Sequence, residues 1–276
     1  MTHCLEFSPK NLPMSEKIKI LLKLLDDPSQ QVAHSVMLEL LKNEDIIEPY
    51  LAEHQETENE LLRKRIHQLQ SIITIRQRRT EFTEMLRSDP SLIEGLIAVH
   101  LQWYDNDLKR ELDEAWTEMC GYAERSKPRD LRGLAHFMRK NDFTAPLDAD
   151  VHAEHYCLGP VLEERVGADF ILAAIASEIG NLFGQQLHVA KSLDDFIVVD
   201  HRGNGLTVRK NWQLLPNINI TQCDFWNNQK ILKMAALMLF QYAVSSDSFR
   251  YVSTIGHAMI GLDNDEPLDF LPYPYN

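Results

Sequence analysis

One short segment near the middle of the chain carries the side chains best suited to nucleophilic or metal chemistry. His152, His155 and Cys157 lie close together there. On an extended backbone, residues two apart point to the same face, so His155 and Cys157 could form a thiol–imidazole couple or supply two ligands of a metal ion. No further ligands can be assigned from the sequence. This favours a simpler interpretation, in which Cys157 is a small buried hydrophobe and both histidines are loop residues. We therefore predict no metal ion and no cofactor.

The charge of the chain limits its partners. The 276 residues include 28 Lys and Arg against 41 Asp and Glu, a net charge of -13, which repels nucleic acid and anionic membrane surfaces. One basic cluster interrupts this pattern, and it comprises Arg63, Lys64, Arg65, Arg76, Arg78 and Arg79. Because glutamates flank the cluster on both sides, we interpret it as a solvated helix face that pairs with neighbouring acids. No nucleic-acid partner is predicted.

The sequence also predicts a cytoplasmic protein with no membrane segment. The four cysteines, Cys4, Cys120, Cys157 and Cys223, are widely separated, which is typical of reduced thiols. The first residues show neither the basic nor the apolar region of a secretory signal. Apolar stretches such as residues 234–240 are far shorter than the roughly 20 residues of a membrane helix.

The N-terminal part of the chain shows a helical pattern. Apolar residues recur at helical spacing over residues 18–25 and 32–41, and Asp27-Pro28-Ser29 separates the two runs. This predicts a short helical hairpin that resembles one HEAT-type unit. Because a single unit leaves an apolar face uncovered, we expect it to pack on the next part of the chain. A longer helix is predicted over residues 56–87, with an apolar stripe formed by Leu62, Ile66, Leu69 and Ile73.

The pattern changes after the helical runs and loops of residues 92–150. A helix over residues 168–183 ends at Gly184 and precedes three predicted strands, over residues 187–190, 196–199 and 206–209. Asn204-Gly205 lies between the last two strands and predicts a hairpin turn, because this dipeptide readily adopts positive φ angles. Helices return after Pro216 and form a C-terminal cap. An acidic, proline-containing tail ends the sequence and either lies on the surface or is available to a partner.

Residues 157–199 carry a family resemblance. Their sequence, CLGPVLEERVGADFILAAIASEIGNLFGQQLHVAKSLDDFIVV, resembles that of SirB-type transglutaminase-like proteins. In that family a "VLERRxG" box opens a helix, and a "GHF" box begins a following strand. Here the first box corresponds to Val161-Leu162-Glu163-Glu164-Arg165-Val166-Gly167, and the strand corresponds to residues 195–199. The resemblance covers most of residues 90–215 and implies a papain-like core.

The resemblance also implies where a catalytic triad would stand. Active relatives place a Cys at the N-terminus of the central helix, a His on a facing strand and an Asp on the next strand, so that the thiol is activated and the imidazole oriented. In this sequence the Cys position falls on Asp169, the His position on Asp195 and the third position near Arg209. A carboxylate cannot replace a thiolate in transglutaminase chemistry. The resemblance therefore indicates a degenerate site. If Asp169 and Asp195 lie close together across it, either one carboxyl pKa is raised or a cation such as Arg165 or Arg209 lies between them. The simpler interpretation, which we favour, is that Asp169 faces the positive end of its own helix and Asp195 points to water.

These observations predict an α+β, mainly helical protein. We expect a flexible lead over residues 1–15, HEAT-like helices over 16–90 packed on the core, a transglutaminase-like core with a small antiparallel sheet over 91–225, and C-terminal helices with an acidic tail over 226–276. The preferred function is non-catalytic: a scaffold that binds a peptide or protein partner. The alternative is a hydrolase or acyltransferase with rearranged catalytic groups, built on Cys157 with His155 or on Asp169 with Asp195. The oligomeric state stays open.

Overall fold

The computed structural model describes residues 13–88, 90–147, 150–193, 195–246, 251–252 and 255–256. The chain divides into two compact units, and the boundary lies between Gln77 and Arg78. Most of the predicted lead and all of the predicted acidic tail lie outside the described residues.

The first unit consists of helices. They are α1 (Met14–Leu24), α2 (Gln30–Leu41), α3 (Glu44–His54) and the first part of α4 (Glu60–Arg87). The predicted break between α1 and α2 is formed by two local hydrogen bonds: Ser29 N–H donates to the Asp27 carboxylate at 2.8 Å, and Ser29 Oγ accepts from Val32 N–H at 3.5 Å. Helix α3 contains Pro49 and was not predicted.

The first unit has its own apolar core, to which each of its helices contributes. The stripe predicted on α4 is part of this core, because Ile66, Leu69 and Ile73 are buried and Leu62 packs against them. Two arginines of the basic cluster form hydrogen bonds or an ion pair within the first unit. Arg65 donates to the carbonyls of Leu25 and Asp27 at 2.6 and 2.5 Å, and Arg76 pairs with Glu44 at 3.2 Å. The HEAT-like packing of this region on the core remains a prediction.

The second unit contains the remaining helices and the sheet. Its helices are the end of α4, α5 (Leu92–Trp103), α6 (Lys109–Ser126), α7 (Leu131–Lys140), α8 (Leu158–Glu164), α9 (Asp169–Leu182) and α10 (Asn228–Ser245), with a 3-10 turn over Ala153–Tyr156. Three of them begin at residues whose side chains accept from the first turn, namely Ser91, Asp130 and Asn227.

Five short strands form one antiparallel sheet. They are β1 (His188–Ser192), β2 (Asp195–Val199), β3 (Gly205–Thr207), β4 (Gln213–Leu215) and β5 (Asp224–Trp226), in the order β4-β3-β2-β1-β5. The first three were predicted, although β3 ends at Thr207, before the predicted limit. Strands β4 and β5 were not predicted.

The turn between β2 and β3 differs from the expected one. The positive φ angle lies at Gly203, at +77°, and neither Asn204 nor Gly205 adopts one. The turn is stabilised instead by the Asp200 carboxylate, whose Oδ1 accepts hydrogen bonds from the N–H groups of Arg202 and Asn204 at 2.8 and 2.9 Å. Gly205 is therefore the first residue of a strand rather than part of the turn.

Helix α9 lies at the centre of the second unit. Its residues from Asp169 to Ser177 are buried, and it packs against β1 and β2 as well as α5, α7 and α10. One face of the sheet joins this core through Val189, Phe196, Val198 and Leu206. The opposite face forms a small second cluster around Ala190, Ile197 and Val199. The predicted α+β, mainly helical class with a small antiparallel sheet is thus confirmed. The transglutaminase-like identity of the core stays a prediction.

Candidate functional site

The start of helix α9 is fixed by close packing. Gly167 precedes it, and a Cβ atom at this position would lie 2.9 Å from both methyl groups of Val161 on α8. This approach brings α8 directly against the first turn of α9. The last residue of α8 is followed by Arg165 in the left-handed conformation, with φ of 65°, which reverses the chain. The sequence between the two helices therefore places Asp169 at the first position of α9.

Asp169 is a buried carboxylate with two partners. It is only 9% exposed. Its Oδ1 accepts from Phe170 N–H at 2.9 Å, and its Oδ2 accepts from Arg209 Nε at 2.8 Å. Arg209 follows β3, so this ion pair joins the helix N-terminus to the sheet. The negative charge also lies at the positive end of the helix dipole, which stabilises it.

A cleft of about 380 Å³ opens beside this ion pair. Aromatic and aliphatic side chains form most of its wall, and they include Tyr156, Phe170, Phe196, Trp226, Met234 and Met238. Phe196 and Trp226 meet edge to face with their ring centroids 4.6 Å apart, and Phe170 lies 5.6 and 6.1 Å from them. Aromatic pairs at these separations stabilise each other, so this wall is preformed.

The charged side chains described in the cleft wall come from three places in the fold. Asp169 comes from α9, Lys191 from β1, and Arg209 from the segment after β3. Sequence reasoning had singled out Asp169 and Arg209 through the family resemblance. It missed Lys191, and it missed the methionines that α10 contributes.

Asp195, the other carboxylate expected in the site, forms an ion pair with a different basic residue. It is the first residue of β2, opposite Ser192 on β1. Its Oδ2 lies 3.6 Å from Lys210 Nζ, and it does not belong to the cleft wall found among the described residues. The structure therefore pairs Asp169 with Arg209 and Asp195 with Lys210. The short distance between the two carboxylates stays a prediction.

Cys157 is placed where its thiol is inert. The side chain is fully buried, and burial raises the pKa of the thiol far above its usual range. His155 is also buried, which lowers the pKa of its imidazole. The Nδ1 of His155 accepts from the His152 backbone N–H at 2.9 Å rather than from the thiol. Among the described residues, no hydrogen bond joins Cys157 to His155, so the thiol–imidazole couple lacks its defining contact.

A second buried histidine, which the sequence did not reveal, has a structural role. His100 is 1% exposed; its Nε2 lies 2.9 Å from Asp107 Oδ2, and its Nδ1 accepts from Gly159 N–H at 3.3 Å. Burial lowers the pKa of His100. Because Nδ1 accepts from Gly159 N–H, the proton of the neutral ring is on Nε2, which faces Asp107. The imidazole thereby ties α5 to the start of α8.

In comparisons with known proteins, no protein-family model, curated protein or solved structure matches the chain. Within the described residues, no group of three or more acidic, histidine or cysteine side chains is arranged to hold a metal ion. No described helix is long and apolar enough to cross a membrane.

Alkylation of the native protein tests the placement of the thiols. At neutral pH, iodoacetamide is expected to label Cys157 at least about 10-fold more slowly than Cys223, because Cys157 is buried and Cys223 is partly exposed. Peptide mass spectrometry after timed quenching gives the rate at each cysteine. In denaturant the two rates should become similar. Rapid, selective labelling of native Cys157 would contradict this placement and would support the hypothesis of an enzyme built on Cys157.

Proposed function

We propose that the chain is a non-catalytic cytoplasmic binding protein, in which a transglutaminase-like core uses the cleft beside Asp169 to hold a peptide segment of a partner. One observation carries the proposal. The first position of the central helix, where thiol chemistry would require a cysteine, carries a carboxylate that Arg209 and a backbone amide already engage. What remains beside it is an open, largely apolar cleft.

The dimensions and wall of the cleft support a binding role. A volume of about 380 Å³ falls at the small end of the roughly 300–1,000 Å³ that ligand pockets occupy. It therefore suits a side chain and its neighbours rather than a large cofactor. The rigid aromatic wall offers apolar contact area, and the flexible thioethers of Met234 and Met238 can adapt to different side chains.

The enzymatic alternative has weaker support from the same geometry. Cys157 is buried with a raised pKa, so it would have to be exposed and deprotonated before it could attack a substrate. Both oxygens of the Asp169 carboxylate accept hydrogen bonds from partners inside the protein. A carboxylate engaged in this way would have to break one of these contacts before it could attack a substrate or accept a proton from it.

Selection from a random peptide library displayed on phage, with the full chain as bait, tests the proposal. We expect enrichment of peptides that contain large apolar or aromatic residues. Met234→Asp places a negative charge in the half-buried wall of the cleft, and it should weaken binding of the selected peptides by at least about 10-fold, as the loss of an apolar contact at the centre of an interface does. Affinities are measured by fluorescence anisotropy with labelled peptides.

The matched control is Leu182→Asp, which adds the same charge at the end of α9. Leu182 is 59% exposed and does not belong to the described wall of the cleft. This variant should bind as the unaltered chain does. Equal binding by the Met234→Asp variant, or a selection that enriches no peptide, would overturn the proposal.

A further inference from the structure

The charge of the cleft is opposite to that of the chain. Of the described residues in its wall, three are charged: Asp169, Lys191 and Arg209. Arg209 Nε lies 2.8 Å from the Asp169 carboxylate, so these two charges compensate each other locally. The charge that remains is that of Lys191, in a chain whose net charge is -13. A cation beside apolar walls in an acidic protein favours a ligand with a negative group.

The surroundings of Lys191 show that the protein leaves this cation available. Lys191 is partly buried on β1, and its Nζ lies 5.9 Å from the ring centroid of Phe196. The acid opposite it in register is Asp224 on β5. The Asp224 carboxylate accepts hydrogen bonds from Trp226 Nε1 at 2.9 Å and from Lys230 Nζ, and Lys191 adds only a weaker Coulombic attraction to it. Among the described residues, no carboxylate lies within ion-pair distance of Lys191.

The position of Lys191 on the strand is unusual for a charged side chain. Side chains alternate between the two faces of a strand, so Lys191 shares the face of Val189, which packs into the core around α9. Its cross-strand partner Phe196 is on that same face and forms part of the cleft wall. The methylene stem of Lys191 can therefore pack along the apolar wall while its ammonium stays at the cleft, where it is placed to pair with an anionic group of a ligand.

We infer that the cleft recognises an acidic residue next to an aromatic or large apolar residue in the partner peptide, and this inference rests on the proposed function. The apolar side chain lies against Phe170, Phe196 and Trp226, and the neighbouring carboxylate pairs with Lys191 Nζ. A ligand with an amine in place of the carboxylate is repelled by the same cation. Charge-assisted hydrogen bonds of this kind are about twice as strong as neutral ones, so the carboxylate provides the selectivity.

Two sets of probes, each with one apolar body, test the inference. The first set is phenylacetate, phenylacetamide and phenethylamine, which carry a negative, a neutral and a positive group. The second set is the capped tripeptide Phe-Asp-Gly and its Phe-Asn-Gly counterpart. Binding is followed by titration of the full chain with isotope-labelled methionine methyl groups, because Met234 and Met238 line the cleft and report occupancy there.

We expect phenylacetate to bind about 10-fold more tightly than phenylacetamide, with phenethylamine weakest, and Phe-Asp-Gly to bind more tightly than Phe-Asn-Gly by a similar factor. Lys191→Gln should abolish both preferences. Lys233→Gln removes the same charge from a partly exposed position on α10 outside the described cleft wall, and it should preserve both preferences. Thermal melting of each variant confirms that the compared proteins are folded.

The outcomes separate this inference from the proposed function. Equal binding of the charged and neutral probes, or a preference that persists in the Lys191→Gln variant, overturns the carboxylate inference and leaves peptide binding in place. Binding of phenylacetate without binding of either tripeptide assigns the cleft to small acids and overturns the peptide ligand. If no probe shifts the methionine methyl signals, both the inference and the proposed role of the cleft fail.

Discussion

Asp169→Ala is expected to lower the free energy of unfolding by about 2 kcal/mol. The substitution removes the acceptor of two hydrogen bonds, one from Phe170 N–H and one from Arg209 Nε. Breaking a fully buried ion pair costs about 3–5 kcal/mol, but the Arg209 side chain is 39% exposed, and water compensates part of its loss. Loss of the favourable interaction with the helix dipole adds a fraction of a kcal/mol. Urea denaturation followed by circular dichroism measures the change.

Two companion substitutions separate the charge of Asp169 from its shape. Asp169→Asn keeps an oxygen for Phe170 N–H but loses the ion pair, so about half of the effect is expected. Asp195→Ala is the control, because Asp195 lies 3.6 Å from Lys210, whose side chain is 61% exposed. Exposed pairs contribute at most about 1 kcal/mol, and a change below about 0.5 kcal/mol is expected here. If Asp169→Ala and Asp195→Ala lower the free energy of unfolding equally, the Asp169 ion pair contributes no more to stability than the exposed pair of Asp195.

The elements that are predicted best from the sequence are those with a long run of buried apolar residues and a clear end signal. Helix α9 was expected over residues 168–183 and is observed over Asp169–Leu182. Residues 169–177 are buried around the whole circumference of the helix, and Gly184, with φ of +77°, follows its end. Helix α3 was missed because it buries only Ile47 and Leu51 and contains Pro49, which resembles a break. Strands β4 and β5 span three residues each, too few for alternation to be visible.

The candidate site was predictable only in part, because its side chains come from distant parts of the sequence. The family resemblance pointed to Asp169 and Arg209, although no periodicity links them. Lys191 could have been found from its strand, because a charged residue on the same face as the buried Val189 signals either a ligand or an internal ion pair. The contribution of Met234 and Met238 depends on how α10 packs, and no local pattern reveals it.

The environment of Cys157 shows why a plausible spacing did not produce the predicted chemistry. His155 and Cys157 are two residues apart, but the segment is not extended. It forms the 3-10 turn Ala153–Tyr156, and Cys157 is the residue from which α8 begins. The imidazole of His155 is consequently hydrogen-bonded to the start of its own turn. The identities and spacing of the residues were therefore insufficient, because the backbone conformation decides which side chains meet.

Gly205→Ala is expected to destabilise the sheet by about 2 kcal/mol and to disturb the segment that carries Arg209. A Cβ atom at Gly205 would lie 2.7 Å from the Val198 carbonyl oxygen and 2.7 Å from Ile218 Cδ1. The Ile218 methyl can rotate away, but the carbonyl is backbone, so β2 and β3 must move apart. Forced overpacking of this kind costs about 1–3 kcal/mol. Urea denaturation gives the loss, and hydrogen exchange should show weaker protection at Ile197 and Thr207, which pair across these strands.

Gly121→Ala provides the control for that substitution. Gly121 lies within α6, and the nearest atom to an added Cβ would be Arg125 Nη1, at 4.0 Å. Because alanine is the better helix former by about 0.5–1 kcal/mol, this variant should be slightly stabilised. An unchanged stability of the Gly205→Ala variant would mean that β3 is not held closely against Val198.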